Sequence, residues 1–349
     1  MASLSLPELM GVFLAAAALV WYAGIRLSDA TDVLSTRLGL GEALGGLILL
    51  AIATNLPEIA ITASAALAGS LGIAIGNILG GIAVQTVVLA VIDVIGLGGA
   101  DPLMYRAASL TLVLEATMVV AVLSVVIMGT QLPTATAARV EPAALIIVGV
   151  WVVGLWLVGR ARRGLPWHES GEAPDGQRKP RGHSKQQAAK RVGTARVGAV
   201  FTVAAAATLA GGIALERSGE RIAGHIGMSG VVFGATILAA ATALPELSTG
   251  LASVKLEDYQ LAVSDIFGGN AFLPVLFLLA NLLSGAAVLP QAQDTDIYLT
   301  ALGILLTTIY IAGLIFRPRT QVLRMGLDSA TVCVAYAVGV VGLFAIARS

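Results

Sequence analysis

Long apolar runs separated by short polar ones dominate this chain. A membrane-crossing helix needs roughly 20 predominantly apolar residues. Ten stretches qualify, near 8–27, 38–67, 71–97, 107–129, 141–160, 196–216, 227–253, 259–288, 297–316 and 328–347. The pattern predicts an all-α polytopic membrane protein with about ten transmembrane helices. The second, third, seventh and eighth are expected to bend or break. Pro57 and Pro245 lack a backbone donor and crowd the carbonyl four residues back. That frees carbonyls near Thr54 and Thr242 in mid-membrane, which only a protein-lined or wet cavity tolerates.

The two prolines belong to a repeat. Ala53-Thr54-Asn55-Leu56-Pro57-Glu58 is echoed by Ala241-Thr242-Ala243-Leu244-Pro245-Glu246, and a constant offset of 188 carries the match through about 45 ungapped residues. Gly39 meets Gly227, Gly46 meets Gly234, Asn77 meets Asp265, Gly80-Gly81 meets Gly268-Gly269 and Ala83 meets Ala271. Shared hydrophobicity does not align polar residues, so the match reads as an internal duplication. It divides the chain into a five-helix half at 1–160 with its repeat at 38–97, a basic segment at 161–195, and a second half at 196–349 with its repeat at 226–288. Five spans is an odd number, so the second half is inverted in the membrane. Inverted repeats with interrupted helices mark secondary transporters, whose sites lie at the midplane between repeats.

Composition agrees: 57% of residues are hydrophobic, 12% are charged, and mean hydropathy is +0.89. A soluble domain is about one quarter charged. The formal net charge of zero hides an asymmetry, because ten of the 21 Lys and Arg residues lie between Arg160 and Arg196. With that segment in the cytoplasm, seventeen basic residues fall inside and four (Arg139, Arg217, Arg221, Arg348) outside, as the positive-inside rule requires. Both termini are then outside. The first apolar run has no Lys or Arg before it, unlike a cleaved signal. The Ala/Gly/Val-rich composition and the lack of an organelle presequence suggest a prokaryotic plasma membrane. Cys333 is the sole cysteine, so no intrachain disulfide forms. Nothing suggests a resident cofactor or nucleic-acid binding, and monomer and homodimer both stay open.

Glu58 and Glu246 lie deep in their apolar runs, where an ionisable residue costs several kcal/mol unless paired or hydrated. At matching points of inverted copies they should converge on the pseudo-two-fold axis. Converging carboxylates suit a hard cation that takes oxygen ligands, with protons as competitors. The bland alternative is a protonated acid bonded between helices. Asn77 and Asp265 follow nineteen residues later as oxygen donors, or as interhelical hydrogen-bonding groups. Thr54 and Thr242, one turn before each Glu, offer hydroxyls or freed carbonyls. Gly76, Gly80, Gly81, Gly268 and Gly269 are read as close-packing residues. Glu115, midway along the fourth helix, either relays protons or pairs with a polar group such as Gln85. Asp93 is read as interfacial.

These motifs resemble the cation/calcium antiporter superfamily, the sodium/calcium exchangers and their relatives. Leu56-Pro57-Glu58 with Gly76-Asn77-Ile78-Leu79-Gly80-Gly81, and Leu244-Pro245-Glu246 with Ser264-Asp265-Ile266-Phe267-Gly268-Gly269-Asn270, are similar to that family's two alpha-repeats. They cover about a quarter of the chain. The resemblance implies that Glu58 and Glu246 bind Ca2+ with Thr54 and Thr242 carbonyls, and that Asn77 and Asp265 complete the centre. It also implies alternating access by sliding of the first and sixth helices. Where the family usually has Ser, this chain has Asn55 and Ala243, and also Ile73 and Leu261. The side chains of Ala, Ile and Leu cannot coordinate Na+, so H+ is the expected counter-ion. Na+ stays open through backbone carbonyls and Asn55. The expected function is Ca2+/H+ or Ca2+/Na+ antiport. Alternatives are the same scaffold moving Mg2+, Mn2+ or a monovalent ion, a passive channel, or a membrane-embedded acid/base enzyme.

Overall fold

The computed structural model describes residues 4–37, 52–132, 140–165 and 193–347. Its helices are α1 (Leu6–Arg37), α2 (Leu56–Ala68), α3 (Leu71–Leu97), the short α4 (Leu103–Ala107), α5 (Leu110–Thr130) and α6 (Pro142–Ala161). The second half follows with α7 (Thr194–Ile226), α8 (230–242), α9 (Leu244–Lys255), α10 (Tyr259–Ser284), α11 (Asp294–Phe316) and α12 (Leu327–Ile346). Nine spans among the described residues are long and apolar enough to cross a membrane, and α2 is a shorter apolar tenth helix. The basic segment over 166–192 and the expected first part of the second span, 38–51, lie outside the described residues.

Two of the expected breaks fall at the prolines. Residues 52–54 are helical, Asn55 is a turn, and α2 restarts at Leu56 with Pro57 in its first turn. In the other repeat α8 ends at Thr242, Ala243 is the turn, and α9 restarts at Leu244 with Pro245 in its first turn. Pro tolerates a first-turn position because the donor it lacks is unpaired there anyway. α8 also widens into a π turn at Gly234–Leu238, and α10 tightens into a 3-10 turn at Leu273–Val275, where Pro274 stands. The third span departs from expectation: α3 runs unbroken for 27 residues. It contains no proline, and its glycines serve close packing.

α3 is the hub, 72% buried along its span against 22% for α12. It packs on α8 through glycines from both sides: a Cβ on Gly234 would lie 2.9 Å from the Ile73 carbonyl oxygen and 3.0 Å from the Asn77 nitrogen. α1 and α7 are 32 and 33 residues long, roughly 50 Å at 1.5 Å per residue, and pack on each other more extensively than any other pair. The same pair covers both interrupted helices. A Cβ on Gly24 of α1 would lie 2.7 Å from Pro245 Cβ, and one on Gly212 of α7 would lie 2.9 Å from the Pro57 carbonyl oxygen. Gly24 and Gly212 are themselves 188 residues apart, as are Pro57 and Pro245. The repeat therefore extends beyond the stretch where sequence alone displays it. Asn270 and Ile82, another 188-related pair, meet each other, which puts the pseudo-two-fold axis between α3 and α10.

Candidate ion site

Glu58 and Glu246 are each the third residue of a restarted helix, α2 and α9. There the positive end of the helix dipole favours a carboxylate. They are 0% and 2% exposed. Asn77 and Asp265 are each the seventh residue of the next helix, α3 and α10. Local structure thus repeats the register that the sequence repeats.

Several of these side chains meet across the repeats. Glu246 lies close enough to both Glu58 and Asp265 for their charges to act on it. Thr242, fully buried, faces the Glu58 carboxyl while its hydroxyl donates to the Ala239 carbonyl at 3.2 Å. Asn55 is buried and its amide donates to Thr54 Oγ1 at 3.4 Å. It also abuts α10, since a Cβ on Gly269 would lie 3.1 Å from Asn55 Nδ2. Asp265 is partly buried and held to α9 by Thr249, whose hydroxyl lies 3.1 Å from both Asp265 Oδ2 and the Glu246 carbonyl oxygen. Asn77 is fully buried beside Gly234 and makes no hydrogen bond to either glutamate.

The electrostatics of this cluster are one-sided. Both carboxylate oxygens of Glu58 and of Glu246, and both amide groups of Asn77 and Gln85, have no hydrogen-bond partner among the described residues. The ion pairs found there, Arg106–Asp101 and Arg162–Glu115, both lie elsewhere. A buried charge without a partner costs several kcal/mol. The cluster therefore calls for a bound cation or for protons. Among the described residues no three acidic, His or Cys side chains converge as a ready-made metal cage. A cation seated here would draw on two carboxylates plus amide, hydroxyl, backbone or water oxygens, a donor set that suits a hard ion.

Three polar residues join the cluster that the repeat did not single out. Gln85 is 1% exposed, and its Oε1 would lie 3.6 Å from a Cβ on Gly269. Asn270 is fully buried and donates to Thr86 Oγ1 at 3.1 Å and to the Ile82 carbonyl at 3.4 Å. The repeat counterparts of Gln85, Thr86 and Asn270 are Leu273, Pro274 and Ile82, so symmetry hides them. Their polarity within apolar runs was the available signal.

One expectation needs correction, and a second residue gains partners the sequence did not suggest. Glu115 stands in the second turn of α5, not midway, and its partner is Arg162, not Gln85. Arg162 lies 3.0 Å from Glu115 Oε1 and 3.2 Å from Ser264 Oγ. The helix starts three residues later than the apolar run, and Arg162 at the end of α6 is out of reach of any local pattern. Asp93 is near a helix end but 1% exposed. It accepts from Leu103 N at 2.9 Å, Gly326 N at 2.8 Å and Ser329 Oγ at 2.8 Å, stapling α3 to α4 and α12.

Apolar helices in two inverted halves, with acids at matching helix breaks, are the architecture of a membrane ion antiporter. The chain belongs to the sodium/calcium exchanger protein family, whose model matches residues 8–159 and 197–346. Inner membrane protein YrbG of Escherichia coli (strain K12) is 24% identical over 310 residues, 87% of each chain. Three solved structures share the fold: the H+/Ca2+ exchanger CAX, YfkE and the sodium-calcium exchanger NCX_Mj. Their TM-scores are 0.65, 0.63 and 0.59 at 15%, 15% and 16% identity. The matches cover 97%, 95% and 97% of this chain and 87%, 91% and 99% of theirs. Membership makes the chain an integral membrane transporter of the cation/Ca2+ exchange type, not an enzyme.

Proposed function

We propose that this protein exchanges Ca2+ for H+ across the membrane by alternating access, with Glu58 and Glu246 as the paired carboxylates that hold the cation. The carrying observation is that both acids are buried and converge across the repeats with all four oxygens unpartnered among the described residues. Asp265, Asn77, Asn55 and the Thr54 and Thr242 oxygens complete the central region. Ca2+ takes six to eight oxygen ligands, more than two carboxylates supply. The same acids serve the counter-ion, since protons on Glu58, Glu246 and Asp265 neutralise the site when Ca2+ leaves. Ala243, Ile73 and Leu261 offer no side-chain oxygen, and Ile73 packs in an apolar cluster with Phe13 and Phe233. This favours H+ over Na+.

Access alternates when the α1/α7 pair slides over α2 and α9. Gly24 and Gly212 rest directly on Pro245 and Pro57, so the sliding pair presents no side chain at those two contacts, while the Trp21–Ser248 and Glu216–Ser64 hydrogen bonds nearby must break or shift. In the cell we place the chain in a prokaryotic plasma membrane with the basic segment cytoplasmic and both termini outside. The test is radiolabelled Ca2+ uptake into proteoliposomes under an outward H+ gradient or an outward Na+ gradient. Uptake driven by H+ alone, and lost in Glu58→Gln, is expected. Uptake driven by Na+ would overturn the counter-ion assignment, and unchanged exchange in Glu58→Gln would overturn the site. Absence of Ca2+ flux under both gradients would transfer the scaffold to Mg2+, Mn2+ or a monovalent ion.

A further inference from the structure

The face of α7 that covers α2 carries more than the contact at Gly212. Thr208, Gly212, Glu216 and Glu220 recur every four residues and so share one helix face. Opposite them on α2 stand Pro57, Ala60 and Ser64, with Ser70 just beyond. Gly212 meets Pro57 and Ala60, Ser64 Oγ donates to Glu216 Oε2 at 2.7 Å, and Ser70 Oγ donates to Glu220 Oε1. Glu220 is exposed, but Glu216 is 0% exposed and its Oε1 has no partner among the described residues. Thr208, 1% exposed, likewise leaves its hydroxyl unpartnered there. Thr62 and Thr295 share this state among the buried helical threonines described, whereas others bond their own helix. Thr31, Thr86, Thr300 and Thr307 all donate to the carbonyl four residues back, at 2.7–2.8 Å. Oxygen groups therefore line the seam from its exposed end down to the Pro57–Glu58 break. The six steps from Glu58 to Ser64 rise roughly 9 Å along α2 at 1.5 Å each.

We propose that Glu216 is an entry station for the transported divalent cation, on the membrane face opposite the basic segment. Glu220 recruits the hydrated ion at the exposed end, the free Glu216 oxygen holds it, and the Thr208 hydroxyl lies beyond Gly212 toward the break. The station has too few protein oxygens to strip a divalent ion of its water, so it binds weakly and releases inward. It sits between α7, which slides, and α2, which does not, so sliding opens and closes it. The corresponding positions of α1 are Val20, Gly24 and Ser28. The counterpart of Glu220 is Asp32, but that of Glu216 is Ser28, so the repeat does not duplicate the station's central carboxylate. This inference rests on the proposed Ca2+ exchange through Glu58 and Glu246.

The test is the initial rate of Ca2+ exchange in oriented proteoliposomes, with Ca2+ varied on one face at a time. Glu216→Gln keeps an acceptor for Ser64 and removes the charge. It should raise half-saturating Ca2+ about five- to tenfold on the face bearing Ser70, the weight of one partly screened charge, and leave the opposite face within about twofold. Ser64→Ala keeps the charge, removes the hydrogen bond, and should shift half-saturation no more than about twofold. Equal effects on both faces, or Ser64→Ala matching Glu216→Gln, would make Glu216 a helix-to-helix hydrogen bond and overturn the proposal. Equilibrium Ca2+ binding to the purified protein separates this from failure of the central site. Glu58→Gln with Glu246→Gln should retain a weak Ca2+ site that adding Glu216→Gln abolishes; retention of that weak site in the triple variant would also overturn it.

Discussion

Replacing Gly212 by alanine adds one methyl group where the sliding helix crosses the helix break. The new Cβ would lie 2.7 Å from Ala60 Cβ and 2.9 Å from the Pro57 carbonyl oxygen. Ordinary contacts of these kinds need well over 3 Å, and both neighbours belong to or abut the α2 backbone, which cannot rotate away. α7 must therefore lift from α2 by about half an ångström or more, and overpacking of this kind costs about 1–3 kcal/mol. Carried by the access step, that strain slows exchange by roughly 5- to 150-fold at 1.36 kcal/mol per decade. Ca2+ affinity should change little, because no ligand is touched. Initial exchange rates and equilibrium Ca2+ binding on the same preparation separate the two effects. By the pseudo-symmetry Gly24→Ala, facing Pro245, should behave alike. Exchange at the wild-type rate in Gly212→Ala would refute the claim that this glycine contact is the sliding surface.

Two further outcomes follow from the polar staples. Arg162→Ala leaves Glu115 buried without its partner. It should cost about 1–3 kcal/mol, below the figure for a fully buried pair because the Arg162 side chain is 29% exposed. Glu115→Gln should cost less, and the double variant should recover part of the loss, read as thermal midpoints in a double-mutant cycle. Asp93→Asn turns one acceptor oxygen into a donor facing the Leu103 N–H or the Gly326 N–H and Ser329 hydroxyl. At about 1.5–3 kcal/mol per bond to a charged group, it should lower the thermal midpoint clearly while leaving Ca2+ affinity intact.

Much of the architecture was legible because the bilayer imposes it. Span length and apolar continuity mark the helices, and proline marks the breaks at Asn55 and Ala243. The duplication was legible where polar residues recur in apolar runs, as at Glu58 and Glu246. It faded toward α1 and α7, where the symmetric feature is an absent side chain, Gly24 and Gly212, that only its packing partners reveal. The break expected in α3 is absent because the helix holds no proline, while Gly76 and Gly80 bring helices together as expected of them. Gln85, Thr86 and Asn270 were not assigned to the site because their repeat counterparts are the apolar Leu273, Pro274 and Ile82; Asn270 meets its own counterpart Ile82 near the axis. The Arg162 partner of Glu115 and the Ser64 partner of Glu216 are 47 and 152 residues away. No local spacing encodes such pairs.

Calorimetric titration of Ca2+ into the purified protein, wild type beside Glu58→Gln with Glu246→Gln, tests the paired-carboxylate site most directly. The account predicts a saturable high-affinity phase in the wild type that the double variant lacks, with both proteins folded by thermal melt. A double variant that binds Ca2+ as the wild type does would contradict it.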